Sequence, residues 1–161
     1  PHFKVKPPLR TQEDGLAWRD GLADGTIDAV ATDHAPHPVE DKECEWSAAA
    51  FGMLGLETAF SVVVESMVNT GLLDWVGVAD RMSRRPAQIG RVKGQGGSIA
   101  AGEPAHLTLV DPAATWTVRP TELASLSRNT PYRERVLPGR VVHTIYAGNP
   151  TVTDGTAERT R

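Results

Sequence analysis

Cysteine is nearly missing from this chain. Cys44 is the one thiol in 161 residues, so no internal disulfide can form, which fits a reducing, cytoplasmic setting. Positive charge is not in excess either: 17 Lys and Arg face 20 Asp and Glu, for a formal charge of −3. No basic face is implied, and a nucleic-acid partner is not expected. No apolar run approaches the roughly 20 residues of a membrane span, so no membrane partner is expected. No signal-peptide pattern, internal repeat or low-complexity tract is visible. An initiator methionine is also missing; a start of Pro1-His2-Phe3 suits a processed, cloned or truncated product. What is present is ordinary for a folded domain, 40% hydrophobic and 23% charged, and long enough for one domain or two small ones.

Read along the chain, Pro1 to Arg10 is a proline-punctuated loop. Thr11 with Asp14 three residues on resembles a helix N-cap pair, predicting a helix from about Gln12 to Ala23. Asp24-Gly25 is a turn. Ile27 to Thr32 is apolar without alternation, the pattern of a strand buried on both faces of a parallel sheet. Helix, turn and buried strand form the repeating unit of an α/β fold. Pro36 to Trp46 is a charged loop. From Leu56 the pattern turns helical, with Leu56, Phe60, Val63, Val64 and Met67 on one face, and Asn69-Thr70-Gly71 stops it. Asp74 is placed to cap a second helix to about Met82, and Pro86 suits the first turn of a third, ending near Gly90. Composition changes at Lys93. A glycine-rich connection (Gly94, Gly96, Gly97, Gly102) leads to strand candidates at 106–110, 115–118 and 141–146, punctuated by Pro112, Pro120, Pro138-Gly139 and Asn149-Pro150. The chain thus divides into an α/β part, 1–93, and a small β unit, 94–161.

The most informative run is Ala31-Thr32-Asp33-His34-Ala35-Pro36-His37. It places a carboxylate and two imidazoles just beyond the apolar stretch, where active sites of α/β barrels sit. An Asp in that position is as commonly a loop cap as a metal ligand or general base. The two histidines and the stiffening Pro36 shift the balance toward a metal-assisted hydrolase. Carboxylate with imidazole suits zinc or a similar divalent ion, which would lower the pKa of a bound water to about 7. A neighbouring carboxylate can then carry the water's proton to a leaving nitrogen. Adjacent residues rarely both face one ion, so His34 is read as supporting a ligand from behind or as structural rather than as a ligand itself. His37, four residues after Asp33, returns to the same mouth and could hold an anionic substrate. In Phe51 to Glu57, Gly52 would let backbone amides approach a ligand. The glycines of 94–102 make no phosphate loop, because no Gly-Lys-Ser/Thr ending leads into a helix. Cys44 has no evident partner for nucleophilic catalysis. Arg81, Arg84 and Arg85 read as a solvated helix face, and His2, His106 and His143 as surface or packing residues.

Taken together these stretches resemble the dihydroorotases of the amidohydrolase superfamily, of the bacterial single-polypeptide type. The match is carried by Phe3 to Arg10, Asp24 to His37, Phe51 to Thr58, Gly102 to Pro112 and Ser127 to Tyr132, and extends to about Gly155. The resemblance implies the C-terminal part of a (β/α)8 barrel, with its last strand and flanking helices in 1–93, followed by part of a composite β domain in 94–161. It implies zinc-dependent interconversion of N-carbamoyl-L-aspartate and dihydroorotate in pyrimidine biosynthesis, with one or two zinc ions. Asp33 matches the zinc-ligand aspartate that also shuttles the proton. His37 matches the histidine that contacts the substrate carboxylate, and Phe51 and Gly52 match positions whose backbone meets the substrate. Lys6 stands where the family usually has a substrate-contacting asparagine. His106 departs from a usual Ala-Asp-Leu strand, and Arg133-Glu134-Arg135 from a usual glycine-containing segment.

The family's His-x-His pair and middle-strand ligands have no counterpart in these residues, and a whole barrel takes about 250. The expectation is therefore a C-terminal portion that is inactive and binds zinc poorly alone. The partner expected is the small-molecule substrate, with a homodimer or a transcarbamoylase complex as assembly. Two other readings stay open. One is an allantoinase or hydantoinase acting on another cyclic amide; the other is a non-catalytic homologue that scaffolds a transcarbamoylase.

Overall fold

In the computed structural model, residues 1–158 are described; the last three positions of the expected β unit lie outside them. Helix α1 spans Gln12–Asp24 and starts as its sequence dictates. Thr11 Oγ1 accepts the Asp14 amide at 3.3 Å while the Asp14 carboxylate accepts the Thr11 amide at 3.2 Å, a reciprocal capping box. Gly25, at φ 93°, ends it in the left-handed conformation that glycine adopts freely.

The strand expected over 27–32 does not form. The segment is irregular and half-exposed, and it is tied down by isolated bonds, Ile27 N–H to Gly21 O at 2.8 Å and Val30 N–H to Arg81 O at 3.0 Å. Among the described residues the one parallel pairing is a single bridge between His34 and Met53. A strand is defined by its neighbours, and none of the described residues lies alongside 27–32 to complete a parallel ladder.

The charged loop contains a single turn, α2 (Val39–Lys42). Helix α3 (Ala59–Val63) widens into a π turn over Val64–Val68. Val63, Val64 and Met67 are buried as their spacing predicts, but Leu56 is outside the helix and 63% exposed. Helix α4 (Trp75–Ala79) begins where Asp74 accepts the Gly77 amide at 2.7 Å. It passes through a second π turn, Asp80–Arg84, into α5 (Arg85–Ile89), with Pro86 in its first turn. Pro86 has no N–H to return to the preceding turn, and the widened turn accommodates that loss. Val63, Met67 and Val78 form a core closed by Leu22, Val30, Phe60, Leu73 and Met82, each of the three contributing about 1.5–3 kcal/mol of burial. Arg81 is not on a solvated face. It is 9% exposed and donates Nε to Leu22 O at 3.0 Å, beside Asp80.

The β unit is one antiparallel sheet in the order β1 (Leu107–Thr117), β2 (Val136–Tyr146), β3 (Asn149–Thr153), β4 (Thr156–Ala157). The two strands expected either side of Pro112 are one strand with a shift in register between Asp111 and Thr115. Asp111 Oδ1 satisfies the amides of Ala113 and Ala114 there, at 2.9 and 3.1 Å. Pro138-Gly139 lies inside β2, not at its edge. Gly139, at φ 70°, brings β2 against Phe60 and Val64. Ser61 Oγ locks this contact, donating to Gly139 O at 2.7 Å and accepting the Trp116 indole N–H at 2.8 Å. Glu57 adds a second tie by accepting the Ala124 and Ser125 amides at 2.9 and 3.2 Å. The helices and the sheet are thereby joined just beyond the turn that follows segment 51–55.

Candidate functional site

Two extended segments lie side by side, 33–37 and 51–55, each too short to form a ladder. Side chains bridge them instead. His34 Nδ1 accepts the Gly55 amide at 3.2 Å and the Leu56 amide at 3.4 Å. Its Nδ1 is thus unprotonated, and His34 serves the turn into α3, in keeping with a structural role. His37 Nε2 lies 2.8 Å from Phe51 O. A carbonyl can only accept, so Nε2 carries the proton.

Gly52, at φ 130°, is pressed against the first segment: a Cβ there would sit 2.5 Å from Ala35 Cβ and 3.0 Å from His37 Nε2. Glycine is required by that approach and by the backbone angle together. The Gly52 amide donates to Lys4 O at 2.9 Å, whereas the Phe51 amide has no partner among the described residues.

Asp33 is exposed and shares a cleft of about 350 Å³ with Lys6, Val30, Met53, Leu54 and Tyr132. Its carboxylate is in no ion pair with the described residues. Burial raises the Tyr132 phenol above its ordinary value. The five residues singled out in the sequence therefore fall into two groups. Asp33 and Lys6 line the cleft, and His37, Phe51 and Gly52 form a hydrogen-bonded cluster beside it. Among the described residues no group of three or more His, Cys, Asp or Glu is placed to hold a metal ion.

Three residues given no role from the sequence organise this cluster. Asn129 is 2% exposed. Its Oδ1 accepts the His37 amide at 3.2 Å, and its Nδ2 donates to Ala35 O at 2.9 Å and Gly52 O at 3.4 Å. Its own carbonyl accepts the Leu54 amide at 3.2 Å, so one residue touches both segments. Lys42 is 1% exposed, and Lys4 8%. Lys42 Nζ donates to Ala50 O and Gly52 O, both at 2.8 Å. Lys4 Nζ donates to Trp46 O at 2.7 Å and Ser47 O at 3.0 Å, and lies 4.7 Å from the Phe51 ring centre. Loss of hydration lowers the Lys42 ammonium below its usual range, and the neighbouring Lys4 charge adds to this. Asn129 lies in the Ser127 to Tyr132 stretch, so its place in a motif was the available signal. Lys42 is the lone cation among Glu40, Asp41, Glu43 and Glu45, a pattern that reads as surface ion pairing and conceals its burial.

No protein-family model matches the chain. A dihydroorotase of Streptomyces coelicolor is 65% identical over 155 residues, covering 96% of this chain and 36% of that protein. A dihydroorotase of Mycobacterium tuberculosis is 53% identical over 152 residues, 94% of this chain and 35% of that one. Among solved structures, an L-hydantoinase (dihydropyrimidinase) from Arthrobacter aurescens superimposes with a TM-score of 0.89 at 31% identity, over 99% of this chain and 36% of that one. The chain spans about a third of the length of the relatives it matches, and it corresponds to their C-terminal part.

Proposed function

We propose that this chain is the C-terminal portion of a dihydroorotase, since it is similar to enzymes of that name along nearly its whole length. On that premise, 1–93 supplies the last strand position and flanking helices of a (β/α)8 barrel, and 94–161 part of the accompanying β domain. Segment 27–32 gains its parallel neighbours from the rest of the barrel. The reaction is hydrolysis and closure of a cyclic amide, with dihydroorotate and N-carbamoyl-L-aspartate as the pair.

In hydrolysis, water oxygen bonds to the ring amide carbonyl carbon, the C–N bond breaks, and the leaving nitrogen takes a proton. Asp33 is the residue for that transfer. Its unpaired carboxylate can accept the proton of the attacking water and return it to the nitrogen. The same carboxylate fits as one zinc ligand. The described residues hold no group of three or more His, Cys, Asp or Glu placed for a metal ion, so one or two zinc ions would require ligands from elsewhere in the enzyme. Zinc, where bound, supplies a water acidic enough to react at neutral pH.

His37 holds the substrate carboxylate through Nδ1. Because Nε2–H is committed to Phe51 O, binding an anion requires the ring to carry both protons. Lys6, on the cleft wall, supplies a second positive charge where the family has an asparagine. The Phe51 amide is the backbone donor offered to substrate. Gly52 contributes by its lack of a side chain, since its own amide is engaged by Lys4 O. No described helix is long and apolar enough to cross a membrane, and the cytoplasm is the compartment we propose. A homodimer or a transcarbamoylase complex would appear in the mass of the purified enzyme.

The observation that carries the reading is a free Asp33 carboxylate in a cleft beside a His37–Phe51–Gly52 cluster, within a chain of dihydroorotase-like sequence. The hydantoinase structures favour a second reading, a hydantoin- or allantoin-hydrolysing relative, but sequence identity is higher to the dihydroorotases. Turnover of dihydroorotate, allantoin and hydantoin by the complete enzyme decides between them. Preference for dihydroorotate is expected, and preference for either other ring overturns the assignment. Stoichiometric zinc is expected as well, whereas a scaffold homologue would carry none.

A further inference from the structure

Lys42 combines three properties that are costly together. It is a primary amine, 1% exposed, and it has no carboxylate within ion-pairing distance among the described residues. Burying an ammonium is strongly unfavourable unless each of its donors is met. Its partners are all backbone carbonyls: Ala50 O and Gly52 O at 2.8 Å and Lys4 O at 3.5 Å. The carbonyls of 50 and 52 thus converge on one point, with Phe51 between them. Their lone pairs would repel across that gap without a cation to face. Phe51 O, the carbonyl left over, turns the other way and takes the His37 Nε2 proton at 2.8 Å.

We infer that Lys42 is a positioning residue for His37: its buried ammonium gathers the carbonyls of Ala50 and Gly52 and so aims the intervening Phe51 carbonyl at the imidazole. This rests on the reading of His37 as the substrate-carboxylate contact. Lys42 does not touch substrate. It fixes which imidazole nitrogen is committed to the protein and which faces the ligand. Lys4 cooperates from the other side, because its carbonyl holds the Gly52 amide and its ammonium holds the chain at 46 and 47. Asn129 completes the frame through Gly52 O.

A double-mutant cycle in the complete enzyme tests this. Lys42→Met keeps the side chain's length and removes its charge and donors. KM for dihydroorotate should rise about 10- to 100-fold, the loss that accompanies removal of a charged hydrogen-bonding group, while kcat changes less. In a His37→Asn background the same substitution should raise KM less than threefold further, because the group it positions is gone. Independent, multiplying losses would overturn the inference, as would an unchanged KM in the single variant. Absence of turnover in the unsubstituted enzyme would instead refute the dihydroorotase reading. If Lys42→Met does not fold, lysine-selective 15N spectra of the unsubstituted enzyme at pH 7 remain, assigned by the resonance missing from Lys42→Arg. A slowly exchanging ammonium signal is expected for Lys42, and a neutral amine signal would overturn the clamp.

Discussion

Replacing Asn129 by alanine probes the joint between the two site segments. Its side chain is buried at 2% exposure and makes the bonds to the His37 amide (3.2 Å), Ala35 O (2.9 Å) and Gly52 O (3.4 Å). Gly52 O keeps Lys42 Nζ at 2.8 Å after the substitution, so it is not orphaned. The His37 amide and Ala35 O lose their partner. Each unsatisfied buried group costs about 1–3 kcal/mol. The two together cost about 2–5 kcal/mol, with half-burial keeping the sum below the full doubled maximum. Asn129→Asp is the informative companion. A carboxylate still accepts the His37 amide but sets negative oxygen against the carbonyls of Ala35 and Gly52, so its cost should equal or exceed that of alanine. Native-state amide exchange in the complete enzyme reads this locally. The His37 amide should exchange about tenfold faster for each 1.4 kcal/mol lost. Unchanged exchange at His37 in Asn129→Ala, or a stabler Asp than Ala variant, would refute the reasoning.

Gly52→Ala should destabilise the enzyme by about 1–3 kcal/mol, since the new methyl meets Ala35 Cβ at 2.5 Å on a backbone at φ 130°; urea unfolding checks it, and a neutral effect contradicts the close approach. Asp80 sits below its ordinary 3.8, chiefly through its hydrogen bond from Arg84. A depressed carboxylate adds stability above its unfolded pKa and loses it as pH falls through the folded value. Asp80→Asn should therefore be less stable than the parent at pH 7, with the gap closing as pH drops below 3.8; a gap constant with pH contradicts the pairing.

Local chemistry was legible in the sequence. Thr11 and Asp14 cap a helix with atoms three residues apart, and Asp74 and Pro86 act within one turn of themselves. Helical spacing pointed to the burial of Val63, Val64 and Met67, though it also included Leu56, which lies outside the helix and is exposed. Contacts with distant partners were not legible. Residues 27–32 have a buried-strand pattern, but forming a strand takes neighbours that the described residues do not provide. The π turns at 64–68 and 80–84 carry no mark in residue type. Lys42 is the sharpest case: amid four acids it looks like a surface cation, and only the fold brings the carbonyls of 50 and 52 to it. Within the site, Asp33 and His37 stood out by spacing, whereas Asn129, 92 residues from His37, needed the tertiary structure.

The central claim is that Asp33 carries the proton in a cyclic-amide hydrolysis at this cleft. Asp33→Asn in the complete enzyme tests it most directly, because the exposed side chain is in no ion pair whose loss would unfold the chain. Dihydroorotate turnover should fall by about 10²–10⁴-fold, with stability within about 0.5 kcal/mol of the parent. A variant that turns over dihydroorotate at the parent rate would contradict the claim.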